Sequence, residues 1–263
     1  MNRIDKKFKD LKKQRRKAFI AYITAGDPDL KTTPKIVLAL ENSGVDIIEL
    51  GIPFSDPVAD GPTIQAASQR ALAKGANLKK IFAMAAGLRR KTEIPLVFMT
   101  YYNPIFKFGL EKFFKTCREA GIDGVIVPDL PIEEAGQATR LARKNKVATI
   151  FLIAPTSPAS RIKDIAERST GFIYYVSLTG VTGAKKILPP EVSSNVRLIK
   201  RVTDKPVAVG FGISDSGQAR VIAKVADGVI VGSALVKIIA DKKNLIPRIS
   251  SAAKNLARAI HGE

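Results

Sequence analysis

Cysteine and histidine occur once each in this chain, so chemistry that depends on clusters of either is excluded from the outset. The lone Cys117 allows no intramolecular disulfide and no cysteine-based metal cluster. Its context, EKFFKTCREAG, has helical spacing, which predicts a buried helical thiol rather than a nucleophile. The only histidine, His261, falls beside the C-terminus and is expected in a frayed tail, which removes the commonest general base and the commonest metal ligand. No apolar run reaches the roughly 18 residues of a membrane helix. KKQRRK followed by AFIAYITAG has the outline of a signal peptide, yet its apolar part carries Tyr22 and Thr24 and runs into a turn. It reads as a strand, and the protein as cytoplasmic with no membrane partner.

Acidic side chains are also scarce, 24 against 43 basic ones, for a formal charge of +19. Residues 1–17 alone hold nine basic and two acidic side chains. A charge of this size invites a nucleic-acid reading. No aromatic-interleaved basic stripe, RNP-like motif or zinc-finger spacing accompanies it, so the surface reads as solvated and no nucleic-acid partner is expected.

What is present is a regular alternation. Eight short runs are nearly continuous in apolar character: AFIAYIT (18–24), DIIEL (46–50), PLVFMTY (95–101), GVIVP (124–128), ATIFLIA (148–154), FIYYVS (172–177), PVAVGFG (206–212) and DGVIVGS (227–233). Strands buried on both faces of a parallel sheet read this way. Segments with helix punctuation lie between them. Thr33-Pro34 supplies a cap and a first-turn proline ahead of Val37, Leu38 and Leu40, and Gly44 closes that helix. TIQAASQRALAKG ends on Gly75, EKFFKTCREAG on Gly121, and PIEEAGQATRLARKN opens on Pro131. With no linker or composition break, residues 1–263 form a single α/β (β/α)8 TIM barrel with an extra basic N-terminal helix in residues 1–17. An open doubly wound sheet is the alternative, but its usual glycine-rich turn after the first strand is replaced here by TAGDPDL.

Function in a barrel gathers where strands end. Those ends carry Thr24, Glu49, Thr100 with Tyr101 and Asn103, Asp129, Thr156, Tyr174 with Ser177, Gly210-Phe211-Gly212 and Gly232-Ser233, with no lysine or arginine among them. A Schiff-base aldolase needs such a lysine, and a metal-dependent one needs a ligand cluster that a single histidine cannot build. Carboxylates, hydroxyls and backbone dipoles remain. The turns GFGIS (210–214) and VGSA (231–234) enter helices, where free N–H groups can hold a phosphate without a cation, and Gly183 could add another amide.

Residues 49–62, ELGIPFSDPVADGP, end a hydrophobic strand on a glutamate. If Glu49 points into the barrel, so does Ile47, while Ile48 and Leu50 face the helices. Its carboxyl then has an apolar setting and no cationic partner, which raises the pKa and suits acid/base work. A glutamate capping the amides of the next loop is the alternative. Asp60 sits in a loop restricted by Pro53, Pro57 and Pro62 and reads as a second carboxylate or a turn residue; Asp56 reads as an Asx-type turn.

ELGIPFSDPVADGPTIQ, YYNPIF, PDLPIEE, YVSLTGVTGA, GFGIS and VGSALV, in this order over most of the chain, resemble the tryptophan synthase alpha chain family. The resemblance implies a carbon-carbon lyase that splits indole-3-glycerol phosphate into indole and glyceraldehyde 3-phosphate, with neither metal nor cofactor. It implies Glu49 as the acid/base that protonates the indole C3 and assists the substrate hydroxyl. Asp60 would accept the indole N–H and stabilise the positive charge developing there. Tyr22, Ile64, Met99, Tyr101, Ile126, Asp129, Tyr174, Thr182 and Phe211 would form the pocket or its support, and Gly183, Gly212, Gly232 and Ser233 would hold the phosphate. It also implies a tryptophan synthase beta chain as partner in an alpha2-beta2 heterotetramer, faced by loops at 53–60 and about 178–187. Tyr22 departs from the phenylalanine frequent in the family, and the strong basic charge is unusual for it. A stand-alone barrel lyase or isomerase of the same pathway is the competing reading, and a basic nucleic-acid-binding scaffold a more distant one.

Overall fold

The computed structural model describes residues 1–176, 190–210 and 212–262. Among them are nine strands, all paired in parallel: β1 (Ala18–Thr24), β2 (Ile47–Gly51), β3 (Leu96–Met99), β4 (Gly124–Ile126), β5 (Ala148–Ile150), β6 (Leu152–Ile153), β7 (Ile173–Val176), β8 (Val207–Gly210) and β9 (Gly228–Val231). The helices are α1 (Arg3–Lys13), α2 (Thr33–Glu41), α3 (Pro62–Ala73), α4 (Leu78–Arg89), α5 (Tyr102–Phe108) and α6 (Leu110–Glu119). They continue with α7 (Gly136–Lys144), α8 (Ala159–Arg168), α9 (Pro190–Val202), α10 (Ser216–Ala223), α11 (Ser233–Asp241) and α12 (Leu245–His261). No helix among the described residues is long and apolar enough to cross a membrane.

The strand order is β5-β4-β3-β2-β1-β9-β8-β7-β6. Its two ends, β5 and β6, are halves of one run split at Phe151. The first half pairs with β4 and the second with β7. The Tyr174 amide donates to the Phe151 carbonyl at 3.1 Å across this seam, so the ring is a barrel built from the eight apolar runs. The split was invisible in ATIFLIA because the stagger that closes a ring is a property of all its strands together.

Alternation along β2 sorts side chains as the pleat requires. Ile47 joins the barrel-interior cluster with Ile20, Val97, Ile126 and Ile230, whereas Ile48 and Leu50 pack in the outer layer against the helices. The N-terminal helix belongs to that interior. Ile4, Phe8 and Leu11 recur at helical spacing and enter the same cluster, with the Phe8 and Phe172 rings 5.8 Å apart. Asn2 caps α1 by accepting from the Ile4 amide at 2.9 Å. Arg3 bonds Glu93 at 2.6 Å and Asp123 at 3.1 Å. The lysine-rich segment thus carries a narrow apolar stripe that seals the barrel floor.

Several local expectations are corrected. Thr32, not Thr33, precedes α2; the Thr33 hydroxyl instead accepts from the Gly26 amide at 3.0 Å and donates to the Asp29 carbonyl at 2.9 Å. Pro131 opens a turn in which Glu134 donates back to Pro131 at 3.0 Å, and the helix begins at Gly136. Asp56 forms no Asx turn: the Val58 amide donates to its backbone carbonyl at 2.9 Å, while its carboxylate takes the Ser55 hydroxyl at 2.6 Å. His261 is not frayed. It ends α12 with its side chain 2% exposed, Nε2 lying 2.9 Å from Asp46 Oδ2 and Nδ1 against Arg16. A partner 215 positions away cannot be read from a terminal tripeptide. Cys117 is a buried thiol on α6, and burial pushes its pKa well up.

Candidate active site

A cavity of about 270 Å³ opens at the C-terminal end of the barrel. Ile64, Met99, Ile213 and Ile230 give it apolar walls, while Tyr22, Glu49, Asp60, Tyr174 and Ser233 supply its polar side chains. No lysine or arginine among the described residues lines it.

Glu49 is 1% exposed, and neither carboxyl oxygen has a hydrogen-bond partner among the described residues. The alternative of a glutamate capping loop amides is therefore excluded. Burial, reinforced by the charge of Asp60, pushes its pKa up to about 8, so the acid form prevails at neutral pH.

Asp60 reaches the cavity from the loop between β2 and α3. Its amide donates to the Pro57 carbonyl at 3.0 Å, and its own carbonyl accepts from Gln65 Nε2 at 2.8 Å. Tyr101 fastens the same loop: its hydroxyl accepts from the Ala59 amide at 2.9 Å, and its ring lies 5.4 Å from Phe54. Burial pushes the Asp60 pKa up to about 6, against the lowering effect of the Tyr101 hydroxyl. Two neighbouring carboxyls are thus held in different states at neutral pH, Asp60 ionised and Glu49 neutral.

Two tyrosines stand on the inward face. Tyr22 is the register partner of Glu49, and its hydroxyl approaches Thr24 Oγ1 at 3.5 Å. A Cβ on Gly51 would fall 2.1 Å from that hydroxyl, and one on Gly232 would fall 3.3 Å from the Tyr22 Cβ, so the ring occupies a slot between two glycines. Tyr174 leans on Gly210 in the same manner, with 2.5 Å between its hydroxyl and the position of a Cβ. Sequence reasoning passed over Gly51 in this role. Strand pairing at the offset Thr24↔Gly51 was the missing signal.

Nine of the expected residues therefore meet at one cavity: Tyr22, Glu49, Asp60, Ile64, Met99, Tyr174, Gly212, Gly232 and Ser233. Gly212 adopts a left-handed φ of 73°, which favours glycine, and Gly232 precedes α11, whose free N–H groups face outward from its first turn. Tyr101 stands behind Asp60. Ile126 lies in the barrel-interior cluster and not on the cavity wall. Asp129 is likewise off the wall, accepting from the Tyr102 amide at 2.9 and 3.1 Å where α5 begins. Thr182, Gly183 and Phe211, with the loop at about 178–187, lie outside the described residues. Ala59, Gly61, Ile213 and Ile230 line the cavity without having been singled out. Among the described residues, no group of three or more histidine, cysteine, aspartate or glutamate side chains could hold a metal ion.

Fold and site define a (β/α)8 barrel with two carboxyls of unequal acidity at its mouth. The sequence profile described as tryptophan synthase alpha chain matches residues 8–261. The tryptophan synthase alpha chain of Caldanaerobacter subterraneus subsp. tengcongensis is 53% identical over 244 residues, 93% of each chain. That of Thermoanaerobacter sp. (strain X514) is 50% identical over 263 residues, 99% of this chain and 100% of the relative. Among solved structures, tryptophan synthase subunit alpha from Legionella pneumophila superposes with a TM-score of 0.92 at 40% identity, covering 99% of this chain and 98% of that one. A chain of the tryptophan synthase a2b2 complex from Pyrococcus furiosus gives 0.86 at 42% identity, covering 92% and 98%. The chain belongs to the tryptophan synthase alpha chain family, and with it to the enzymes of tryptophan biosynthesis.

Proposed function

We propose that this cavity cleaves indole-3-glycerol phosphate by a retro-aldol step, giving indole and glyceraldehyde 3-phosphate. The observation that carries the reading is Glu49: a carboxyl buried with no hydrogen-bond partner among the described residues, neutral at the working pH, facing an apolar cavity. A neutral carboxylic acid in apolar surroundings can give a proton to carbon. Glu49 protonates C3 of the indole, and the positive charge that develops on the ring is balanced by ionised Asp60, which accepts the ring N–H. The Glu49 carboxylate so formed takes the proton of the hydroxyl on the carbon bonded to C3. The bond between the two carbons breaks, its electrons restore the indole, and the oxygen becomes the aldehyde. Glu49 ends protonated, as it began.

Ile64, Met99, Tyr22 and Tyr174 would wall the indole, with Ile126 and Asp129 as support beneath and beside it. Gly212, Gly232 and Ser233, completed by Gly183, would hold the phosphate with backbone amides and the first turn of α11. The chemistry needs no metal or cofactor. A beta chain fits as partner in an alpha2-beta2 heterotetramer that receives the indole. Val58 is 84% exposed and Phe106 69%, on the segments that follow β2 and β3; the ring pair Phe54–Tyr101 connects those segments, and Tyr102–Phe106 lies within α5. The reaction belongs in the cytoplasm.

Two outcomes test the reading. Supplied with indole-3-glycerol phosphate, the protein is expected to release indole and glyceraldehyde 3-phosphate in equal amounts; isomerised substrate in their place would refute it. The pH dependence of kcat/KM is expected to be a bell. The active form has Asp60 ionised, so the rate rises through about 6, and Glu49 protonated, so it falls through about 8. A rate that keeps climbing above the Glu49 value would remove it as the acid.

A further inference from the structure

Resting on that reading, Glu49 must spend part of each turnover as a carboxylate inside a cavity that no lysine or arginine among the described residues lines. A buried carboxylate needs a donor. Among the described residues, three lining side chains can supply a hydroxyl proton: Ser233, Tyr174 and Tyr22. Ser233 begins α11 at the phosphate end, and the Tyr174 hydroxyl is turned to Gly210 on β8. Tyr22 alone is paired in register with Glu49, where side chains on adjacent strands stand side by side. Its ring runs from Gly232 to Gly51, which places the hydroxyl on β2, one inward position beyond Glu49. Tyr22 is 7% exposed, and its contact with Thr24 Oγ1, at 3.5 Å, is long for an O–H···O bond.

We propose that the Tyr22 hydroxyl is the donor that receives the Glu49 carboxylate after its proton has gone to carbon. When the Glu49 O–H bond breaks and the proton moves to C3, the flexible carboxylate turns to the phenol and accepts its O–H; the phenol keeps its proton. When Glu49 recovers a proton from the substrate hydroxyl, the hydrogen bond is released. Tyr22 is a positioning residue that acts through Glu49. Among the described residues, the other titratable groups around Glu49 are Asp60 from the loop before α3 and Tyr174 from β7, with Tyr101 behind Asp60. Asp60, being anionic, opposes a second charge. Burial, then the charges of Asp60 and Glu49, push the Tyr22 phenol well above its ordinary range, so it remains a donor throughout.

Tyr22→Phe keeps the ring in its glycine slot and removes only the donor. The Glu49 carboxyl is followed by carbon-13 NMR titration in the protein without substrate, and kcat and KM are measured for indole-3-glycerol phosphate. Loss of a charge-assisted hydrogen bond is expected to raise the Glu49 midpoint by roughly 0.5–1 unit and to lower kcat about tenfold, with KM within about twofold. An unmoved midpoint overturns the role of Tyr22 whatever the turnover, and so does a moved midpoint with unchanged kcat. Absence of indole release by the unsubstituted protein overturns the lyase reading instead, and the titration judges Tyr22 independently of it.

Discussion

Glu49→Gln is expected to abolish indole release and, at neutral pH, to make the protein more stable. The loss of activity follows from removing the one proton the reaction needs; a positioned acid/base typically contributes 10² to 10⁴ in rate, so a fall on the order of a thousandfold is expected. The gain in stability follows from linkage. The folded state holds the Glu49 pKa at about 8 against an ordinary value of 4.5. Below the lower value the carboxyl is protonated folded and unfolded, and no penalty arises. Between the two values the unfolded chain loses a proton that the folded chain retains, so stability falls as pH rises, by about 1.4 kcal/mol per unit. The penalty is complete above the higher value. Glutamine never ionises, so at pH 7 the variant is expected to be about 3 kcal/mol more stable, and near pH 4 equal. Urea unfolding at the two pH values measures this. Equal stabilities at pH 7 would mean that Glu49 is ionised in the folded protein.

Arg70→Ala is expected to destabilise the fold by about 3 kcal/mol, the lower end for breaking a buried pair because the arginine is partly hydrated. Asp27, on the loop after β1, has a side chain 1% exposed and takes a two-pronged bond from Arg70 on α3, with Nε at 2.9 Å and Nη2 at 2.7 Å. Removing the guanidinium leaves a carboxylate buried without its cation. Thermal unfolding is expected to drop by about 6–12 °C. Asp27→Asn in the same background is expected to recover part of the loss, since it removes the stranded charge. Because α3 begins two residues after Asp60, turnover is expected to fall as well, though by less than in Glu49→Gln. An unchanged unfolding temperature would show that α3 is anchored by its apolar face alone.

The legible parts of this protein are those whose causes are local. Ile47, Ile48 and Leu50 announce a buried strand by their runs, and the pleat then dictates that Glu49 looks inward. Gly75 and Gly121 mark helix ends because a left-handed residue is needed there, at φ of 75° and 72°. The parts that escaped depend on distant partners. His261 is ordered by Asp46 and Arg16, and the lysines of α1 obscured the stripe Ile4, Phe8, Leu11 until the barrel floor gave it something to cover. Strand run and glycine are both visible in DIIEL and its sequel, but that Gly51 is empty to admit the Tyr22 hydroxyl is fixed by the register between two strands. The alternation gave Glu49 its direction; the unequal acidities of Glu49 and Asp60 needed the three-dimensional cavity.

The most direct test of the account is indole release from indole-3-glycerol phosphate by the purified protein, first alone and then with a tryptophan synthase beta chain. Slow release alone, accelerated by the beta chain, is the expected result. No indole under either condition, from a protein that unfolds cooperatively, would contradict the assignment of this cavity as a lyase site.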